Sequence, residues 1–153
     1  MSLKRLQHRV PSAAPIGTFS LPKHQLIFHK HGRDDSAKCD AHYTGDSDNI
    51  VVGRLFEINE IEKSDLDRAE GLGNGYEEKI ITVFNTINYY KAVTYYATNP
   101  NNTLKPFTWY KEHVLIGAKV AKLPMEYIDV IESIPAINDC DKEREAEQLS
   151  IHY

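Results

Sequence analysis

Cysteine is scarce in this chain: Cys39 and Cys140 are its two thiols in 153 residues, far apart and without pattern. A disulfide framework is therefore not expected, and two reduced, incidental thiols are the ordinary reading. No apolar run approaches membrane-spanning length and no signal-peptide core is visible, so no membrane partner is expected and the cytoplasm is the expected compartment. A basic run is missing too. With 18 Lys and Arg against 22 Asp and Glu, the formal net charge is -4, which argues against nucleic acid as the main partner, because phosphate binding needs a clustered basic surface. Repeats, low-complexity tracts and cofactor motifs are likewise absent, and no cofactor is expected.

What remains is an ordinary globular composition, 41% hydrophobic and 26% charged. It suits one domain over 1–153 with a core of normal size. Ser2 can cap a short helix that places Leu3, Leu6 and Val10 on one face and ends at Pro11. Ile16–Leu21 and His24–His29 read as strands split by Pro22, and 49–58 reads as a strand apolar enough to be buried on both sides. The polar stretch 30–48 reads as a long loop forming a candidate rim. Ser64 with Asp67 predicts the cap of a short helix ending at Glu70. Tyr76–Ile87 and Lys91–Thr98 form a strand pair around an Asn88 turn, and Asn99-Pro100-Asn101-Asn102 breaks the chain. Helices over Thr108–Lys122 and Pro124–Ile134 follow, and 139–153 reads as a peripheral tail. Strands followed by late helices, without regular βαβ units, give an α+β class.

The segment with most chemical content is Asp67-Arg68-Ala69-Glu70-Gly71-Leu72-Gly73-Asn74-Gly75-Tyr76. A carboxylate there precedes three glycines at which backbone can take positive φ and a ligand can approach the main chain. Read by itself, the segment is also a helix C-cap with a solvent-exposed glutamate. His29, His31, Cys39 and His42 invite a metal reading, but their spacing fits no structural zinc pattern, and no metal site is assigned. Glu57, Glu60 and Glu62 read as a solvated edge.

In Gly53-Arg54-Leu55-Phe56-Glu57-Ile58, Leu66 through Gly71 and Gly75-Tyr76 the chain resembles the gamma-glutamylcyclotransferase family (AIG2-like). The resemblance continues through Ala92-Val93-Thr94-Tyr95, Pro106 to Tyr110, Ile116-Gly117-Ala118-Lys119 and Leu123-Pro124. It implies a small mixed sheet curled toward a barrel and flanked by helices. The implied reaction is cofactor-free cyclisation of a gamma-glutamyl amine or peptide to 5-oxoproline, with release of a free amine or amino acid. Glu70 is then the general acid/base, and Tyr76, Tyr95, Tyr110, Gly71 and Gly75 contact the substrate. Tyr96 adjoins Tyr95, and strand alternation allows only one of them on the inner face.

Members of the family open with a strand and a Tyr-Gly-Ser-Asn loop. The match here begins with Arg9-Val10-Pro11-Ser12-Ala13, so that first strand is expected to be missing, with neighbouring edges open to self-association. A non-catalytic small-molecule binder is the alternative function, and a thiol- or metal-responsive protein is a third.

Overall fold

Ser2 opens the first helix as expected: in the computed structural model, which describes residues 2–153, its hydroxyl accepts the Arg5 amide at the start of α1 (Leu3–Gln7). Leu6 and Val10 are buried with Ala13 against Phe56, Ile58 and Leu66. β1 (Ala14–Pro22) and β2 (His24–His31) are separated by Lys23 at φ 61°. Pro22 thus closes a strand, where its missing N–H does least harm.

Residues 30–48 do not form the expected long loop. β2 runs on to His31, and Ala37–Tyr43 forms β3, paired antiparallel with it. β3 escaped detection because the residues that alternate with Lys38, Asp40 and His42 are small, Ala37, Cys39 and Ala41; Cys39 and Ala41 face one concavity and Asp40 and His42 another. The period-two alternation is there, but without the bulky β-branched and aromatic residues that mark a strand.

β4 (Ile50–Glu57) is the strand expected over 49–58, but its interior residues are half-buried rather than buried on both sides. Its C-terminal half contributes Arg54, Leu55 and Phe56 to the lining of an open cleft. Asn59, whose side chain accepts the Ile61 amide, caps a 3₁₀ turn at Glu60–Glu62 that runs directly into α2 (Lys63–Glu70). Ser64 therefore has no capping role, since the backbone is already helical when the chain reaches it.

β5 (Tyr76–Phe84) and β6 (Tyr89–Ala97) form the expected hairpin, its turn held by the Asn85 carboxamide oxygen accepting from the Ile87 and Asn88 amides. α3 (Thr108–Val120) and α4 (Met125–Ser133) follow, with Pro124 at the N-cap of the second.

The α+β class is observed. The strands lie in a four-stranded sheet, β4-β1-β5-β6, and a two-stranded sheet, β2-β3. β3 packs beside β6 and β2 beside β4, so the six strands run around a ring, the curled arrangement that the resemblance implies. One seam is slack: β1 meets β5 only at Ser20 and Phe84. The main apolar core lies where Leu115 and Ala118 of α3 meet Leu123, Ile128 and Ile131, with Leu26 and Val52 packed against them.

The stretch after Asn138 is not a peripheral tail. Buried Asp139 accepts from Trp109 Nε1 at 2.8 Å and from Arg144 Nε at 2.7 Å, which seats α5 (Lys142–Ser150) against α3. A burial of this kind depends on partners thirty residues apart and leaves no periodic trace in a charge-rich segment.

Candidate active site

α2 ends where Glu70 gives way to Gly71 in the left-handed region, φ 82°, and the Gly71 and Leu72 amides both donate to the Asp67 carbonyl. A residue with a Cβ is strained in that conformation, and glycine is not. Gly73 and Gly75 follow at φ 77° and 99°, so all three glycines adopt positive φ. At Gly75 a Cβ would also lie 3.0 Å from Lys30 Cε. The turn is thus both a helix cap and a close approach of backbone to a charged side chain.

It opens onto a cleft of about 900 Å³ between β1, β2, β4, β6 and the helices. Glu70, Gly71, Tyr76, Tyr95 and Tyr110 all line this cleft, whereas Gly75 lies behind Lys30. Tyr96 faces the other way, into a separate concavity. Alternation along β6 therefore directs Tyr95 inward.

Glu70 is mostly buried, with 16% of its side chain exposed, and its Oε1 accepts from Arg9 Nη1 at 2.8 Å. Tyr76 donates its hydroxyl to the Cys39 carbonyl at 2.6 Å, and Tyr110 receives the Cys39 amide at 3.1 Å. Cys39 thereby joins the two phenols across β3. Tyr95 donates to Asp67 at 2.5 Å, and Asp67 is also paired with Lys63. Burial, the largest cause in each case, pushes all three tyrosines above the ordinary phenol range. They remain neutral near pH 7, so the candidate proton acceptors of the cleft are its carboxylates, of which Glu70 adjoins the glycine turn.

Charge in the cleft runs opposite to the charge of the chain. Ten Lys and Arg residues line it against two carboxylates, Asp34 and Glu70. Lys38 is paired with Asp34 and Arg9 with Glu70. Lys30 is buried, stands 4.9 Å over the Tyr76 ring, and has no carboxylate paired with it among the described residues. Burial, and then Arg33, lowers its pKa. Arg54 Nε is buried and has no hydrogen-bond partner among the described residues.

Sequence reasoning assigned no role to Arg9, Lys30 or Arg54. Lys30 shares the inward side of β2 with Leu26, four residues before it, so strand parity was the available signal.

The His and Cys residues of 29–42 separate in space. Cys39 faces the cleft, His31 pairs with Asp35, and His29 and His42 converge on Asp40 behind β3.

No curated protein matches the chain. Among solved structures it resembles uncharacterized protein loc79017 from Homo sapiens, with TM-score 0.83 and 22% identity over 96% of this chain and 90% of that one. A structure described as gamma-glutamyl cyclotransferase gives TM-score 0.83 and 22% identity, over 97% and 92% of the two chains. YkqA from Bacillus subtilis gives 0.69 and 19%, over 87% of this chain and 49% of that one. Residues 50–131, more than half the chain and including α2, the glycine turn and Tyr110, match the AIG2-like family. The chain belongs to the AIG2-like family and has the fold of a gamma-glutamyl cyclotransferase.

Proposed function

We propose that the chain cyclises gamma-glutamyl groups to 5-oxoproline, with Glu70 as general acid/base. The observation that carries this reading is a mostly buried carboxylate at the wall of a strongly basic cleft, held by Arg9 and flanked by neutral phenols. A gamma-glutamyl substrate brings an ammonium and a carboxylate on one carbon. Its carboxylate suits Lys30 and Arg54, and its ammonium suits Glu70.

Glu70 accepts a first proton from that ammonium. The freed amine attacks the γ-carbonyl, a carbon–nitrogen bond forms in the five-membered ring, and Glu70 passes the proton to the leaving nitrogen as the amide bond to it breaks. The ring nitrogen then gives up its second proton, which reaches the released amine by the same carboxylate and leaves it as an ammonium. No net oxidation occurs and no water is consumed. Holding the glutamyl chain curled supplies most of the orientation that ring closure needs. The carboxylate of an amino acid or peptide leaving group would meet further basic residues of the cleft.

Glu70→Gln removes the proton acceptor with little change of shape. It is expected to lower 5-oxoproline release by roughly 10²–10⁴-fold, the usual contribution of a positioned acid/base, while ligand binding and the circular dichroism spectrum stay close to wild type. Unchanged turnover in this variant would refute the assignment.

One observation favours a binding role without turnover: the Arg9 guanidinium already occupies Glu70 Oε1. Arg9→Gln separates the readings. If Arg9 merely holds the base until substrate arrives, the variant retains measurable turnover; if the ion pair is a structural closure of a binding pocket, neither protein releases 5-oxoproline.

A further inference from the structure

Behind β3, on the face opposite the Glu70 cleft, three potential ligand atoms converge. The bulge between Phe28 and Lys30 turns His29 out of the β2 ladder and beneath Asp40. His29 Nε2 lies 2.9 Å from Asp40 Oδ2, His42 Nδ1 lies 3.8 Å from the same oxygen, and the three ligand atoms all fall within 4.8 Å of one another. His29 and Asp40 are buried, and His42 stands at the mouth of a concavity of about 520 Å³.

We propose that His29, Asp40 and His42 bind one divalent transition-metal ion of the zinc class, at a site separate from the proposed catalytic cleft. The donor set is two imidazole nitrogens and one carboxylate oxygen, which suits zinc and its first-row neighbours. Magnesium and calcium require mostly oxygen donors and are poorly served. Bonds of about 2.0–2.2 Å around a tetrahedral ion place neighbouring donors roughly 3.3–3.5 Å apart. The two shorter observed separations straddle that value, and His42, half exposed, has the freedom to close the remainder.

The surroundings point the same way. His29 Nδ1 faces the Asn102 carboxamide oxygen at 3.3 Å while Nε2 faces the Asp40 carboxylate. Both ring nitrogens thus meet acceptor oxygens. In the tautomer that donates from Nδ1 to Asn102, Nε2 presents its lone pair on the side of Asp40 Oδ2, where a shared cation would sit. Donation from the far nitrogen of a ligating histidine to an outer oxygen is also the usual way such rings are oriented. Asp40 is held similarly: its Oδ1 accepts the Ala97 amide at 3.2 Å, leaving Oδ2 for the histidines. The ammonium lining the same concavity, Lys79, is turned to His24 Nε2 at 2.9 Å.

A metal here would tie β2 to β3 and, through Ala97, to β6. It would be a clamp on the strand ring, with no part in proton transfer at Glu70.

The test uses the full chain, freed of metal by a chelator and without a histidine tag. Titration with zinc chloride is followed by calorimetry, and titration with cobalt chloride by visible absorption. One equivalent is expected to bind, with a cobalt spectrum of low coordination number and a higher melting temperature. His42→Ala, a half-exposed change, is expected to abolish that binding, Asn102→Ala to weaken it roughly 10-fold or more, and His31→Ala to leave it intact. Absence of stoichiometric binding to the wild-type chain overturns the proposal, as does undiminished binding by His42→Ala, which would place the metal elsewhere. Circular dichroism of each variant confirms that loss of binding is not loss of fold.

Discussion

Lys30 shows how much a single residue can contribute here. Its ammonium is buried, unpaired with any carboxylate among the described residues, and placed beside Tyr76 and the glycine turn. An unpaired buried charge is costly, and a substrate carboxylate would relieve that cost on binding. Lys30→Met is therefore expected to raise KM for a gamma-glutamyl substrate by roughly 10- to 100-fold, the worth of one charge-assisted hydrogen bond, with a smaller change in kcat. An effect confined to kcat would count against a carboxylate-binding role.

His113 carries the second residue-scale prediction. It is buried on α3, its Nδ1 is 2.5 Å from His152 Nε2, and burial, then Arg5, then His152 lower its pKa from 6.5 to about 3. Between those values the unfolded chain holds a proton that the folded chain refuses. The stability contributed by neutral His113 is thus fully present above pH 6.5 and is lost as pH falls toward 3. Urea denaturation at pH 7, 6, 5 and 4 is expected to show falling stability, with a shallower fall in His113→Gln; equal slopes would refute the assignment.

At the scale of elements, the end of α2 is where a local rule and the proposed site coincide. Gly71 stops the helix in a conformation that disfavours side chains, and the same stop fixes where Glu70 points. Gly71→Ala is expected to cost about 1–2 kcal/mol of stability, the penalty of a left-handed non-glycine residue, and to lower turnover by displacing Glu70. Chemical denaturation and a steady-state assay on the same preparation check both parts.

This element was largely legible beforehand because glycine, cap and carboxylate are adjacent in the chain. β3 and α5 were not. β3 has only the small residues Ala37, Cys39 and Ala41 alternating with its polar ones, and α5 is held by Asp139, whose partners Trp109 and Arg144 lie on different helices. Neither element offers the bulky apolar periodicity that pattern reading requires.

For the whole molecule, the slack seam between β1 and β5 is the feature with most consequence. With one pairing at Ser20 and Phe84, the facing edges of these strands lack strand partners along most of their length. Open edges accept another strand. We propose that a second copy of this chain pairs along this seam. Size-exclusion chromatography over a range of protein concentrations is expected to show concentration-dependent association, and a monomer at every concentration would refute it.

The sequence by itself determined what is local or compositional: the α+β class, the β5–β6 hairpin, the late helix pair, and the cap that joins Glu70 to three glycines. Those features depend on residues near one another in the chain, where turn chemistry, capping and periodicity act directly. Tertiary structure alone decided the rest. It chose Tyr95 over Tyr96 for the cleft, brought Arg9 to Glu70 across sixty residues, joined Tyr76 to Tyr110 through Cys39, and gathered basic side chains from separate elements into one cleft of an acidic chain. It also parted the histidines from Cys39 by setting them on opposite faces of β3. The reason is geometric: inward parity and charge clustering belong to the closed strand ring, and a linear chain does not hold them until the ring has formed.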